Sequence, residues 1–213
     1  MDYFAQVARQ RRAIADRLEG FSDEQWRAQS LCGAWSVHDL LAHLVMPLEI
    51  SPVRAIGAIA RARGNFDVAN RRLTAQFSSL DNHELITKLR RNAESHFTPP
   101  GHDSNAPLAE NYIHARDIFD PLQRSAPGEL DDWQTVATFL STKRARRGFV
   151  PKALPPLTFT ATDSTFRAGS GDQVTGTTAD LAMAMAGRTT APGSFGGPGA
   201  DALHQWVAAQ RHN

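Results

Sequence analysis

Apolar residues fall at helical spacing through the first two thirds of the chain. Phe4, Val7, Ala8, Ile14 and Leu18 predict a first helix over 2–19. Gly20 closes it, and Ser22 offers a cap for a short turn through Trp26. In the stretch CGAWSVHDLLAHL, residues 32–44, Ser36 suits an N-cap and Val37, Leu40, Leu41, Leu44 and Val45 share one face. That stripe continues towards Ile59, with a kink expected at Pro47. Further helices are predicted over 67–77, 82–97 and 106–119, the first two countable as one broken helix, which makes a bundle of about four long helices. A helix over 132–147 ends in KRARRG.

Beyond that point the pattern changes. LTFTATD, TFRAGSG and QVTGTTA are short, Thr-rich, β-branched segments separated by Asp, Ser and Gly, which predicts strands and turns. TADLAMAMAGR follows as a helix capped by Thr178 and Gly187, and GADALHQWVAAQ as a last one. The expected fold class is mainly α, in two domains: a helical bundle over 1–150 and a small α+β unit over 151–213, joined near GFVPKALPP.

Composition narrows the function classes. With 213 residues, 41% hydrophobic and 21% charged, the chain suits a soluble globular protein. A net charge of +1 calls for neither nucleic acid nor an acidic membrane as partner, so a small molecule is the expected one. Cys32 is the single cysteine, which rules out an internal disulfide. The N-terminus is charged and amphipathic, unlike a signal peptide. No stretch approaches the roughly 20 apolar residues of a membrane span. A cytoplasmic location is expected, and the oligomeric state is open.

Two histidines stand in the 32–44 stretch. His38 and His43 are five residues apart, about 140° around a helix axis, so they do not share one ligand. His43 lies beside the apolar stripe, whereas His38 sits in the first turn. In AENYIHARDI, Glu110 and His114 are one turn apart and project from one face, a spacing at which a carboxylate and an imidazole can hold one ion. An ordinary i,i+4 surface pair has the same spacing. If the two helices face each other in a bundle, His43 completes a His, His, Glu set. Asp117, three residues beyond His114, is placed either to orient that ring or to sit in solvent.

Together, Gly33, Trp35, Ser36, Val37 and His43, then Glu110 and His114, resemble the N-terminal domain of the mycothiol-dependent maleylpyruvate isomerases, relatives of the DinB-like metal-binding four-helix bundles. VTGTTADLAMAMAGR resembles the small C-terminal domain of that family. The resemblance implies a divalent metal such as Zn²⁺ on His43, Glu110 and His114, mycothiol as thiol cosubstrate, and a thiol transferase or isomerase acting on a small electrophile. It also implies that Arg188 reaches the active site as a catalytic-site arginine for a substrate carboxylate; the competing reading is an arginine facing its own helix terminus. Two other functions stay open: a non-catalytic metal- or ligand-binding module of the same fold, and a metal-dependent hydrolase using bound water. Cys32 reads as an ordinary loop or core cysteine, and GSFGGPGAD lacks the Gly-Lys-Ser/Thr of a phosphate loop.

Overall fold

The computed structural model describes residues 2–33, 35–99, 101–146 and 148–210. Four helices close into a ring: α1 (Phe4–Leu18) packs on α6 (Asn82–Arg91), α6 on α3 (Val37–Glu49), α3 on α7 (Asn105–Phe119), and α7 back on α1. Their inward residues, including Ile14, Leu18, Leu40, Leu41, Leu85, Leu89 and Ile118, form one fully buried core. The short helix α2 (Asp23–Arg27) sits on α3, α5 (Phe66–Phe77) packs on the outside of α3, and α4 (Pro52–Arg61) packs on α5. The helix α8 (Leu130–Leu140) follows on the far side of α7.

The start of α3 follows from local chemistry. Ser36 Oγ accepts from the Asp39 amide while the Asp39 carboxylate accepts from the Ser36 amide, each at 3.1 Å, a reciprocal cap. The expected continuous helix through Pro47 is corrected: Pro47 stays inside α3, and the break comes at Ile50–Ser51, where α4 turns away by 120°. Ser51 caps α4 through the Arg54 amide and Pro52 occupies its first turn, two start signals together. The helix expected over 82–97 ends at Arg91, because the buried Arg11 guanidinium of α1 draws in the carbonyls of Ala93 (3.0 Å) and Ser95 (2.8 Å). The helix expected to reach 147 ends at Leu140, where Ser141 and Thr142 turn their hydroxyls onto the carbonyls of Thr138 and Phe139. Arg147 itself lies outside the described residues.

The C-terminal part is a three-stranded sheet with two helices. Strand β1 (Leu157–Ala161) is central, antiparallel to β2 (Arg167–Gly169) and parallel to β3 (Asp172–Gly176). The chain crosses from β2 to β3 in two residues, and Gly171 at φ +124° permits it, since a Cβ there would lie 1.8 Å from the Pro156 carbonyl oxygen. The helix α9 (Thr178–Met185) is capped by Thr177 rather than Thr178, whose hydroxyl and amide both turn to Asp163. It ends in a Schellman turn: the Gly187 amide donates to Ala184 O at 2.8 Å and the Arg188 amide to Met183 O at 2.9 Å, with Gly187 at φ +75°. Helix α10 (Ala200–Ala208) closes the chain against β3.

A second core runs without interruption from Tyr112, Ile113, Trp133, Val136 and Leu140 of α7 and α8 to Phe159, Val174, Leu181 and Met185 of the sheet and α9. Two ion pairs tie α9 to α7. Arg116 Nη1 donates to Asp180 at 2.7 Å near the start of α9, and Arg188, just past its end, grips Asp117. Among the described residues no single helix is long and apolar enough to cross a membrane.

Candidate metal centre

His43 lies in the second turn of α3, and Glu110 and His114 lie one turn apart on α7, the helix it faces. His43 Nε2 is 2.8 Å from Glu110 Oε1, and His114 Nε2 is 3.4 Å from the same oxygen. The two imidazole rings stand edge to face with centroids 5.1 Å apart. One ligand atom from each of the three residues falls within 4.8 Å of the other two. A tetrahedral ion bound at about 2.0–2.2 Å separates its donors by roughly 3.3 Å, and the two distances around Glu110 bracket that value. The donor set therefore fits a divalent cation. His43 and His114 are buried, while the Glu110 side chain keeps 30% exposure, so the cluster opens on one side.

The electrostatics without an ion are those of an acid gripped by two imidazoles. Burial by itself would raise the Glu110 carboxyl, but hydrogen bonds with His114 and His43 outweigh it and hold the group well below the usual carboxylate range. Burial likewise works against a charged His114, yet the bonds to Asp117 and Glu110 prevail and push it up to about 10. His43 Nδ1 is buried with no hydrogen-bond partner among the described residues, and the half-buried Trp35 ring lies over that imidazole at 4.7 Å.

The other nitrogen of His114 faces a different group of residues. Nδ1 donates to Asp117 Oδ2 at 2.9 Å, and Asp117 is fully buried. Arg188 donates to that carboxylate from Nη2 at 3.1 Å and from Nε at 3.3 Å. Its Nη1 donates back to Ala186 O, at the end of its own helix, at 2.8 Å. Arg188 therefore makes the helix-terminus contact and reaches the histidine cluster through Asp117. Burial is outweighed by the Arg188 charge in lowering Asp117, and by Asp117 in raising Arg188.

The sequence alone makes Cys32 an ordinary cysteine, and its surroundings are not ordinary. The loop ahead of α3 is fixed by the Leu31 amide donating to Asp117 O at 3.0 Å and by Ser30 Oγ donating to Trp35 O at 2.7 Å. This places Cys32 Sγ 3.5 Å from Arg188 Nη2 and makes Cys32, His114 and Asp117 a second cluster of ligand-type atoms. Only the tertiary fold brings Cys32 and Arg188 to the His114–Asp117 pair, and no spacing in the sequence marks Cys32. His38 stands apart: its Nε2 donates to Ser78 O at 3.0 Å and its Nδ1 lies 2.6 Å from Asn82 Oδ1, joining α3 to the start of α6.

Comparison with known proteins agrees with this architecture. Two crystal structures of the mycothiol-dependent maleylpyruvate isomerase, one of them a histidine-to-alanine mutant, superpose with TM-scores of 0.55 and 0.56. Each covers 92% of this chain and 91% of its own, at 16% and 18% identity. No curated protein sequence shows significant similarity. The family model for the mycothiol maleylpyruvate isomerase N-terminal domain matches residues 7–151, which take in α3, α7 and all three donors of the candidate centre. On that match, and with a fold shared over nearly the whole chain, the protein belongs to the mycothiol maleylpyruvate isomerase family.

Proposed function

We propose that the protein is a metal-dependent enzyme that uses a low-molecular-weight thiol, mycothiol by family, to transfer or isomerise at a small electrophile. The observation that carries this reading is the convergence of His43, Glu110 and His114 on one point that is open on one side. Those three residues would hold the ion. Three protein donors leave a coordination position free, the mark of a catalytic rather than a closed structural site, and among the described residues no fourth donor completes this group. When bound, a divalent ion such as Zn²⁺ would favour the anion of a thiol whose unperturbed pKa is about 8.5.

The chain's own residues supply the rest. Asp117 fixes the His114 ring through Nδ1, so that Nε2 faces Glu110. Trp35 covers His43 and limits water at that ring. Arg188 is the proposed partner of a substrate carboxylate. Its side chain is 21% exposed at the edge of the cluster and lines a small hollow with Thr190, Phe195 and His204. We also propose that residues 1–150 and 151–213 act as a bundle domain and a smaller domain that share one core, and that the enzyme works in the cytoplasm.

The test combines elemental analysis of untagged protein with thiol-consumption assays over a panel of electrophiles, using mycothiol and glutathione in parallel. Turnover that needs both the metal and mycothiol is the expected result. Hydrolysis of an ester or amide panel without any thiol would replace this reading with the metal hydrolase. A fully loaded protein inert to both panels would replace it with the non-catalytic module.

A further inference from the structure

The near-neutral balance of the whole chain conceals a lopsided segment. Between Pro52 and Arg72 the sequence carries five arginines, Arg54, Arg61, Arg63, Arg71 and Arg72, against the single acid Asp67, a net +4 where the entire chain has +1. All five are exposed. Arg54 donates to Gln76 Oε1 at 2.9 Å, and among the described residues none of the five enters an ion pair.

The same segment exposes apolar surface. Helix α4 has no fully buried residue. At about 100° per residue, Ala55, Ala58, Ile59 and Ala62 form the face turned towards the body, and Val53, Ile56 and Ala60 form the face turned away. Val53 is 80% exposed and Ile56 68%, and Phe66 at the start of α5 is 58% exposed. Arg54 and Arg61 fall on the flank of that outward stripe. An outward apolar row edged by unpaired guanidinium groups has the form of a helix that lies in the plane of a lipid interface.

We propose that this face docks the protein on an anionic lipid surface, with Val53, Ile56 and Phe66 among the upper acyl chains, Arg54 and Arg61 on the headgroups, and the other three exposed arginines of the segment adding to its positive field. Charge selects this occupant. A second copy meeting the face across a twofold axis would bring two sets of five arginines together, and three exposed apolar side chains fall well short of the roughly 800 Å² per partner of a stable interface. A nucleic acid would engage the arginines through phosphates and leave two aliphatic side chains and a phenyl ring uncovered. An anionic bilayer uses both features, and its pull on each arginine is lost as salt rises.

The experiment is co-sedimentation of the full, metal-loaded chain with extruded vesicles containing about 30% phosphatidylglycerol, and with pure phosphatidylcholine vesicles, at low and high salt. The protein should pellet with the anionic vesicles at low salt, leave them at high salt, and ignore the neutral ones. Arg61→Gln and Arg63→Gln should each lower partitioning about fivefold. Ile56→Ser and Phe66→Ser should lower it severalfold. All four should keep wild-type melting and metal content, because these side chains are exposed. Wild-type protein that stays in the supernatant at low salt would overturn the proposal, as would binding unchanged in all four variants. A dimer that Ile56→Ser dissolves would assign the face to a second copy, and retention on duplex DNA without vesicle binding would assign it to nucleic acid.

Discussion

The two sides of the His114 ring carry similar acids in opposite states. On the Nδ1 side, Asp117 has a resident cation: the Arg188 guanidinium fills the space that a metal would take between Asp117 and Cys32. On the Nε2 side, Glu110 meets only the imidazoles of His43 and His114, and among the described residues no arginine or lysine bonds it. A buried carboxylate is tolerable only when its charge is met: the guanidinium meets Asp117, whereas the partly exposed Glu110 has the two imidazoles and, in the proposed enzyme, a bound ion. Ligand-type residues alone do not make a metal site; the absence of a competing guanidinium is part of the specification.

This contrast can be broken most severely at Arg188. Arg188→Ala leaves Asp117 buried with His114 alone, and stability should fall by about 3 kcal/mol in urea denaturation while metal content holds near one ion per chain. Arg188→Lys should recover part of that loss, since the charge remains and the fork does not. Unchanged stability with lost metal would mean that the two sides do not divide the work in this way. Next come the donors. His43→Ala should remove the stabilisation given by Zn²⁺, about 2.7 kcal/mol at a hundredfold excess over the dissociation constant, and reduce bound metal to background by elemental analysis. Full occupancy in that variant would sink the assignment.

A third acid serves as a control. Glu49, at the end of α3, accepts from Lys88 at 3.1 Å and Arg91 at 2.7 Å, so it too has resident cations. Burial works against its charge, but the bonds from Arg91, Lys88 and Asn92 prevail and lower it to about 2. A depressed carboxylate stabilises the fold above its unfolded value, and that contribution is lost as the pH falls from 4.5 towards 2. The stability difference between wild type and Glu49→Gln should be about 2 kcal/mol at neutral pH, with the exposed Arg91 discounted, and should shrink over that window with or without Zn²⁺. The smallest effect is expected at His38. His38→Gln should cost about 1 kcal/mol for its lost bonds to Ser78 at the end of α5 and Asn82 at the start of α6, and leave the Zn²⁺-dependent gain in melting temperature intact.

Local signals made much of this structure legible. The Ser36 cap, the α3 stripe and the one-turn spacing of Glu110 and His114 need only neighbours within a few residues. The break at Ser51–Pro52 is hidden in the sequence because Val53, Ile56 and Ile59 continue the apolar period. Period alone does not separate a stripe that faces a core from one that faces water, and Val53 and Ile56 face water. The early end of α6 depends on Arg11, 82 residues from the Ala93 carbonyl it bonds, and the grip of Arg188 on Asp117 spans 71. Such pairings are set by the packing of whole helices and leave no trace in spacing.

The two bridges on α9 run in opposite senses. At its start α7 supplies the cation, Arg116, and α9 the anion, Asp180; past its end the roles reverse, with Asp117 on α7 and Arg188 beyond α9. Inverting α9 against α7 would set arginine against arginine and aspartate against aspartate, and sliding it would part both bridges. The pair of bridges thus works as a polarised key that admits one docking register. A double charge swap at one bridge should preserve that register, whereas a single reversal should leave the C-terminal segment with no docked position that satisfies both ends.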